Sequence, residues 1–385
     1  MSAYYNICYK VKQFLLSGNK SLGGEFREVI RSLSIAGYRS IRDLTLDLGP
    51  LNVVTGPNGC GKSNLYRAVW LLHQAAVGGF ARTLAEEGGM PSALWAGERK
   101  RGPVRLSLGV HLSDGFAYAL EAGLPEPNDL PGGRGYFSLD PLIKSETVTY
   151  SGSLLCERSK SGVVLRDDAG KRVSMPMSLT RGESVLTQLA EPHRYPYLVA
   201  LRHHLSSWRF YHGFRTDADS PLRQPQVGVF TPTLAHDGRD LAAAFATIFE
   251  LGDEEEVQSA VRRALGAALV VAHEGDRARF RVQLAVPGLR RGLEPAELSD
   301  GSLRFLCLTA ALLSPRLPPL LALNEPETSL HPDLLEPLAA LIVKASTRAQ
   351  LWVVTHSPLL AREIERLSQV APLRLQLEDG ATKLT

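Results

Sequence analysis

Apolar and polar positions near the start of the chain follow a strand period and then a helix period. Residues 30–35 and 44–48 alternate apolar and polar side chains, which predicts two edge strands joined by a short turn at residues 38–40. Residues 51–55 predict a buried strand, and the pattern of residues 62–76 is compatible with a helix. The pattern therefore predicts a strand, a glycine-rich turn and a helix in succession.

The middle of the chain predicts two lobes of different kinds. Between residues 104 and 175, short alternating runs interrupted by Gly, Pro and Asp predict an antiparallel β-rich lobe. From residue 181 to residue 272 the pattern turns helical, with helices predicted at 241–252 and 254–269. A strand pair is predicted to follow near residues 277–286.

The last part of the chain alternates predicted strands with predicted helices. Three strand candidates lie at residues 320–323, 351–354 and 373–377, and they alternate with predicted helices. Such alternation implies a parallel sheet in an α/β fold. The predicted domains are an N-terminal extension (1–30), the first half of an α/β core (31–105), a β-rich lobe (106–180), a mainly helical insertion (181–295) and the second half of the core (296–385).

Composition narrows the class of protein. The 385 residues carry a formal net charge of +3, with 44% hydrophobic and 22% charged residues, which is typical of a soluble globular protein. Apolar runs such as 267–272 and 320–323 are far shorter than the roughly 20 residues that cross a bilayer, so no membrane role is expected. The four cysteines form no CxxC pair, which favours the cytoplasm, and lysines within the first thirty residues argue against a secretion signal.

The glycine-rich turn after the first buried strand carries the strongest chemical signal. Its sequence fits GxxxxGK[ST] and lies between a predicted strand and a predicted helix, which is the context that this motif requires. Glycines let backbone N–H groups face phosphates, the lysine reaches the β and γ phosphates, and the serine hydroxyl is a ligand for Mg²⁺. The predicted nucleotide-binding residues of the loop are Gly56, Pro57, Asn58, Gly59, Cys60, Gly61, Lys62 and Ser63. Cys60 has two interpretations, a reactive thiolate at a helix N-terminus or a small packing residue.

Polar residues end two of the later predicted strands. Asn324 and Glu325 follow the run 320–323, and His356 follows the run 351–354. Strands of a parallel sheet deliver such side chains to the edge where a nucleotide binds. Glu325 is placed to polarise an attacking water, and Asn324 stands where a carboxylate associated with Mg²⁺ is expected. Taken alone, each cluster is also compatible with an ordinary capped strand end.

A third signal, Leu298-Ser-Asp-Gly-Ser302, has the composition of a helix N-cap. In order with the other two, it makes the chain resemble the ABC-type ATPases of the RecF and SMC kind, and most closely the compact predicted AAA-type ATPases grouped with them. The resemblance covers roughly residues 31–110 and 296–385. It implies an α/β P-loop fold of the ABC-ATPase type with an antiparallel β subdomain and an inserted, mainly helical lobe.

The resemblance assigns roles to individual residues. Residues 56–63 look like the Walker A loop, with Asn64 beside it, and residues 320–325 look like Walker B, with Glu325 as the catalytic carboxylate. Residues 329–332 look like the D-loop, and His356 looks like the switch histidine. Arg39 lies in a segment similar to the one whose arginine approaches the nucleotide in the family. The Q-loop is not identifiable, since Gln74 lies too close to Walker A.

The cofactors implied are ATP and Mg²⁺, the latter with Ser63 and Asn324. In the family, the signature loop of one subunit closes over the nucleotide of another, which implies a homodimer formed on ATP binding, with Ser299, Gly301 and Ser302 acting in trans. Two residues depart from the family pattern. Asn324 replaces the usual aspartate, which predicts slow hydrolysis, and the signature loop carries Asp300 and Ser302 in place of the usual Gly and Gln types.

Three classes of function are compatible with the sequence. The resemblance favours an ATPase in DNA repair or in defence against foreign DNA, and Asn324 keeps open a slow nucleotide switch that scaffolds a partner protein. A transporter subunit is disfavoured by the long insertion and the altered signature loop. Only 29 residues follow His356, so we expect any cutting to come from a partner nuclease. Residues 181–216 combine five Arg and four His with six aromatic residues. This composition suits either a nucleic-acid surface, on which Arg neutralises phosphate and rings stack on bases, or the buried stripe of an amphipathic helix. Double-stranded DNA is the nucleic-acid partner to be tested.

Overall fold

The computed structural model describes residues 30–98, 104–126, 129, 135–166, 171–175, 179–251, 253–275 and 277–385. The predicted N-terminal extension, residues 1–30, lies outside the described residues apart from Ile30. The described strands are β1 (Ile30–Tyr38), β2 (Ile41–Asp47), β3 (Leu51–Thr55), β4 (Leu106–Leu112), β5 (Phe116–Gly123), β6 (Leu142–Tyr150), β7 (Ser153–Ser159), β8 (Gly162–Arg166), β9 (Arg172–Met175), β10 (Arg209–Tyr211), β11 (Gln226–Val227), β12 (Ala268–His273), β13 (Arg279–Ala285), β14 (Leu320–Asn324), β15 (Gln350–Val354), β16 (Leu373–Glu378) and β17 (Ala381–Leu384). The described α-helices are α1 (Lys62–Val77), α2 (Phe80–Glu86), α3 (Met90–Ala93), α4 (Val185–Gln188), α5 (Pro196–Ser206), α6 (Leu241–Glu250), α7 (Glu254–Leu265), α8 (Asp300–Leu312), α9 (Leu335–Ser346) and α10 (Pro358–Ser368). None of the helices in these ranges is both long enough and apolar enough to cross a membrane.

The chain divides into two compact units, each made of segments that are distant in sequence. The first unit takes residues 1–49, 56–208 and 375–385, and the second takes residues 50–55 and 209–374. The predicted division into five successive domains stays a prediction. In the structure, the predicted insertion at 181–295 contributes α4 and α5 to the first unit and the elements from β10 onward to the second.

The first unit is built on an eight-stranded antiparallel sheet in the order β2-β1-β4-β5-β6-β7-β8-β9. In β2, Ile41, Leu44 and Leu46 are buried while the residues between them are exposed, as expected for strands with one face against a core. Helix α1 packs against α5, where Arg202 Nε donates a hydrogen bond to the carbonyl oxygen of Ala76 at 3.2 Å. The antiparallel β-rich lobe predicted from alternating runs is therefore present.

A charged pair is buried within this sheet. Glu146 on β6 and Arg158 on β7 are 1% and 6% exposed, and Arg158 Nη1 donates to Glu146 Oε2 at 3.1 Å. The Tyr118 hydroxyl donates to the same carboxylate at 2.7 Å, and the backbone N–H of Val185 donates to it at 3.0 Å. Burial is the first cause that raises the pKa of Tyr118 well above its ordinary value, and the Glu146 carboxylate adds to it. The carboxylate thus joins β5, β6, β7 and α4.

The second unit contains a parallel sheet in the order β10-β14-β15-β3, with the first two residues of β16 paired to β3. Its central strands β14 and β15 are buried along almost their whole length, as is typical of strands in a parallel sheet. A smaller antiparallel sheet, β11-β13-β12, lies in the same unit. The α/β fold and the parallel strands predicted near the C-terminus are confirmed.

Some predicted boundaries were wrong. The helix predicted at 254–269 ends at Leu265, because Gly266 adopts a left-handed conformation with φ of 64°, and β12 begins at Ala268. The strand pair placed near 277–286 is instead the hairpin of β12 and β13. Strands β7 and β9 lie within the β-rich lobe that the sequence predicted at residues 104–175.

Candidate nucleotide site

The glycine-rich loop of the first unit follows β3 directly and leads into α1. Gly56, Gly59 and Gly61 have φ values of 150°, 79° and 101°, which L side chains rarely adopt. A Cβ on Gly61 would also lie 2.0 Å from Thr382 Oγ1. Gly61 caps α1 without a side-chain hydrogen bond, so the backbone N–H groups of the first turn are left for an anion.

Lys62 is folded back onto this loop. Its side chain is 3% exposed, and its Nζ donates hydrogen bonds to the carbonyl oxygens of Gly56 at 2.6 Å and Pro57 at 2.8 Å. Ser63, the next residue, is exposed. Cys60 is only 1% exposed, which favours its interpretation as a small packing residue over that of a reactive thiol. The loop therefore holds its cation beside an uncapped helix N-terminus, as phosphate binding requires.

Two residues that sequence reasoning missed support the loop. The Ser40 hydroxyl accepts a hydrogen bond from Asn64 Nδ2 at 2.8 Å and lies 2.7 Å from Thr382 Oγ1. The Thr382 hydroxyl in turn donates to the carbonyl oxygen of Cys60 at 2.9 Å. Asn64, which we predicted to bind nucleotide, thus connects the loop to the turn between β1 and β2. No local pattern revealed Thr382, which contacts a loop more than 300 residues earlier in the chain.

Arg39, in that same turn, is held by a carboxylate that the sequence did not identify. Its φ is 49°, and its Nη2 lies 2.9 Å from Glu87 Oε2. The Tyr38 hydroxyl donates to the same oxygen at 2.8 Å, and Arg67 Nη1 lies 3.9 Å from the other carboxylate oxygen. Burial is the main cause that raises the pKa of Tyr38 above its ordinary value, and the Glu87 carboxylate adds to it. Glu87 therefore fixes the guanidinium that we predicted to approach the nucleotide.

In the second unit, the predicted catalytic carboxylate and the predicted switch histidine are in contact. Glu325 Oε1 lies 2.8 Å from His356 Nε2, and both side chains are 36% exposed. The backbone N–H of Glu325 donates to the carbonyl oxygen of Val354, and the Arg304 guanidinium donates to the carbonyl oxygen of Glu325 at 3.0 Å. Burial lowers the pKa of Arg304 from its ordinary value. Glu325 has a φ of 49°, so these contacts hold it in an uncommon backbone conformation.

Glu327 fixes the loop that carries His356. Its Oε1 accepts hydrogen bonds from the Thr355 hydroxyl at 2.7 Å and from the backbone N–H groups of His356 at 2.8 Å and Ser357 at 3.1 Å. Ser357 then caps α10 through its own hydroxyl, which accepts from the Leu360 N–H. Glu327 Oε1 thus caps a turn that begins 28 residues further along the chain.

Two oxygens at the end of β14 fit a magnesium site. Asn324 Oδ1 and Glu327 Oε2 are buried, and neither has a hydrogen-bond partner in the described structure. Buried polar atoms are nearly always paired, and oxygen atoms of this kind are the ligands that Mg²⁺ and its water shell prefer. Asn324 therefore offers an unpaired oxygen at the position that the sequence assigned to it.

The predicted signature loop forms the N-terminus of α8. Ser299 is exposed and caps the helix, since its Oγ accepts a hydrogen bond from the Ser302 N–H at 3.1 Å. A Cβ on Gly301 would lie 2.6 Å from the carbonyl oxygen of Ser329, in the predicted D-loop. Glycine is thus required at residue 301 because two backbone segments approach closely, a reason that the sequence did not reveal.

The basic and aromatic segment 181–216 does not offer rings for stacking. Tyr195, Tyr197, Trp208, Phe210, Tyr211 and Phe214 are all buried, at 6% exposure or less. Leu198, Leu201 and Leu205 are fully buried along α5. The base-stacking interpretation of this segment was therefore wrong, and the alternative of a buried helical stripe is confirmed.

Comparisons with known proteins assign the class. A sequence family described as "AAA domain, putative AbiEii toxin, Type IV TA system" matches residues 51–362, most of the chain. The chain belongs to that family. Together with the fold, this membership confirms an ABC-type ATPase of the RecF/SMC-like class.

Solved structures share the fold. One is the SMC head bound to the C-terminal winged-helix domain of ScpA, with 14% sequence identity and a TM-score of 0.52. The match covers 93% of the present chain and 97% of the SMC head chain. An SMC head with an extended coiled coil, bound to the C-terminal domain of ScpA derived from Pyrococcus furiosus, is 13% identical, covers 93% of this chain and 96% of its own, and has a TM-score of 0.50. At these identities the likeness shows the fold alone.

A curated relative matches over a short segment. The OLD nuclease of Thermus scotoductus (strain ATCC 700910 / SA-01) is 39% identical over 44 residues. This match spans 11% of the present chain and only 8% of the relative's own length.

Proposed function

We propose that this family member binds and hydrolyses ATP, and that it works as a homodimer formed on ATP binding, in DNA repair or in defence against foreign DNA. The contact that carries the proposal is the 2.8 Å pair of Glu325 and His356, since a strand-end carboxylate beside a histidine suits activation of a water opposite a γ-phosphate. The loop with Lys62 and the uncapped α1 N-terminus supports triphosphate binding.

Each residue has a distinct role in this proposal. Lys62 exchanges its two loop carbonyls for the β and γ phosphates, and Glu325 orients the attacking water. His356 leaves Glu325 to approach the γ-phosphate, while Glu327 keeps the loop of His356 in place. When bound, Mg²⁺ neutralises charge on the phosphates, and Ser63 and Asn324 are the residues proposed to hold it.

ATP binding tests the first step. Lys62→Ala removes the cation of the phosphate loop, so we expect calorimetry to detect no tight ATP binding. Lys160→Ala is the matched control, since that lysine is 75% exposed in the turn between β7 and β8, and its affinity for ATP should equal that of the unchanged protein. Equal affinity in Lys62→Ala would overturn the assignment of the loop.

Assembly is tested with a variant that binds ATP but does not hydrolyse it. Glu325→Gln keeps the shape of the side chain and loses the base, so we expect the dimer to accumulate with ATP and Mg²⁺ in light scattering. Adding Ser299→Arg places a bulky cation in the signature loop and should return the protein to a monomer, whereas Ser161→Arg, an exposed residue in the β7–β8 turn, should not. A Glu325→Gln protein that stays monomeric at saturating ATP would contradict the sandwich dimer.

The proposed cellular role is in DNA repair or in defence against foreign DNA. It draws support from the short resemblance to an OLD nuclease, and the SMC heads found with ScpA suggest an effector or nuclease as a partner protein. Double-stranded DNA is the proposed nucleic-acid partner. The rate of ATP hydrolysis measured with and without double-stranded DNA tests it, and an unchanged rate would favour the alternative in which Asn324 makes the protein a slow switch that scaffolds a protein partner.

A further inference from the structure

Arg223 is tied to the signature loop by an unusually full set of hydrogen bonds. It ends a 3-10 turn, Pro221–Arg223, in a part of the chain where the sequence offered no motif. Its side chain is 11% exposed, and all three guanidinium nitrogens donate. The acceptors are the carbonyl oxygens of Thr216 (2.9 Å) and Asp217 (3.2 Å) for Nε, those of Pro295 (2.9 Å), Ala296 (3.3 Å) and Leu298 (2.8 Å) for Nη1, and Asp300 Oδ1 (2.7 Å) for Nη2.

These contacts lie on both sides of Ser299. Leu298 precedes Ser299 and Asp300 follows it. The Arg223 guanidinium therefore donates hydrogen bonds to both neighbours of Ser299, the residue that caps α8. Thr216 and Asp217 anchor the other edge of the guanidinium. A planar guanidinium with donors in fixed directions suits such a set of acceptors, and a flexible ammonium does so less well.

Asp300 presents a problem for a loop that meets a triphosphate. It is 57% exposed in the first turn of α8, beside the exposed Ser299. A carboxylate there repels an approaching phosphate and occupies the positive end of the helix dipole that would attract one. Arg223 supplies the opposite charge 2.7 Å from the carboxylate oxygen.

We propose that Arg223 is a positioning residue for the signature loop, which cancels the charge of Asp300 so that Ser299 can meet the γ-phosphate held by the partner subunit. This inference rests on the proposed ATP-dependent dimer. It adds a residue from outside every predicted motif to that dimer, and it explains how a signature loop with an aspartate accepts an anion.

A double substitution of Arg223 and Asp300 distinguishes a role of the Arg223 charge from a role of its packing. In the Glu325→Gln background, the dimer dissociation constant with ATP and Mg²⁺ is measured by light scattering across protein concentrations. Arg223→Gln leaves Asp300 uncompensated and should weaken the dimer by about ten-fold or more, the scale of one lost charge-assisted contact. Asp300→Asn alone should leave the dimer as tight or tighter. Arg223→Gln with Asp300→Asn should regain most of the loss, since the repelling charge is gone.

Arg291→Gln is the matched control, because Arg291 forms a similar pair with Glu297 at 2.6 Å and has no contact with residues 298–300 among the described hydrogen bonds. Its dimer should match that of the background protein. Arg223→Lys, which keeps the charge, guards against a folding defect in Arg223→Gln and should dimerise more tightly than it. ATP binding by the monomer should be the same in all variants.

The outcomes separate this inference from the proposed function. If the background protein dimerises and the double variant is as weak as Arg223→Gln, Arg223 only packs the loop and the inference is overturned. The same holds if Arg223→Gln dimerises like the background. If the background itself stays monomeric with ATP, the proposed dimer fails and the inference fails with it.

Discussion

Asn324 is the residue at which this chain departs most from its class, and its surroundings show what the departure changes. Its Oδ1 is buried without a described partner, as is Oε2 of Glu327. An amide oxygen would accept hydrogen bonds from metal-bound water but carries no charge, so we expect nucleotide binding to be retained and turnover to be slow.

Restoring the carboxylate should therefore raise turnover. We predict that Asn324→Asp increases the ATPase rate roughly ten-fold, equivalent to about 1.4 kcal/mol in the barrier, or lowers the Mg²⁺ concentration required. Steady-state kinetics of both proteins across a Mg²⁺ titration measure this. A lower rate for Asn324→Asp at every Mg²⁺ concentration would show instead that the site is adapted to Asn324, with Glu327 supplying the charge.

Helices, strands and loops were predictable where a pattern of residues close in sequence encodes them. The continuous apolar runs of β14 and β15 identified the α/β fold, and the GxxxxGK[ST] pattern identified the position of the phosphate loop. Helix α7 was predicted four residues too long, because the left-handed Gly266 was not recognised as its end. Glu87, Thr382 and Arg223 were missed since each acts on a loop far away in the sequence, through contacts that exist only after folding.

The buried pair of Glu146 and Arg158 connects three strands of the antiparallel sheet and α4. Arg158→Met leaves the Glu146 carboxylate buried without its cation, and we predict a loss of about 3–5 kcal/mol in the free energy of unfolding. Arg105→Met is the matched control. Arg105 is 45% exposed and its partner Glu121 is 39% exposed, and such a surface pair contributes about 0–1 kcal/mol to the free energy of unfolding. Denaturant unfolding of the full chain compares them. Equal midpoints for the two variants would mean that the sheet does not depend on the buried pair.

At the scale of the whole molecule, the phosphate loop and the signature loop lie in different compact units, with Lys62 in the first and Ser299 in the second. Membership of the AAA-domain family and the SMC-head fold assign the class, whereas ATP hydrolysis, the ATP-dependent dimer and the cellular role are proposals. In that dimer, Lys62 and Glu325 of one chain serve the same nucleotide, while Ser299 comes from the partner.

Mixing two inactive variants tests this arrangement most directly. Lys62→Ala lacks a working phosphate loop and Ser299→Arg lacks a working signature loop, so each homodimer should be inactive. An equal mixture should recover part of the unchanged protein's ATPase rate, at most about one half, because the mixed dimer has one intact site of two. Lys62→Ala mixed with Glu325→Gln is the control and should recover nothing, since both changes affect residues that serve the nucleotide of their own chain. No recovery in the first mixture, or equal recovery in both, would contradict a site completed in trans.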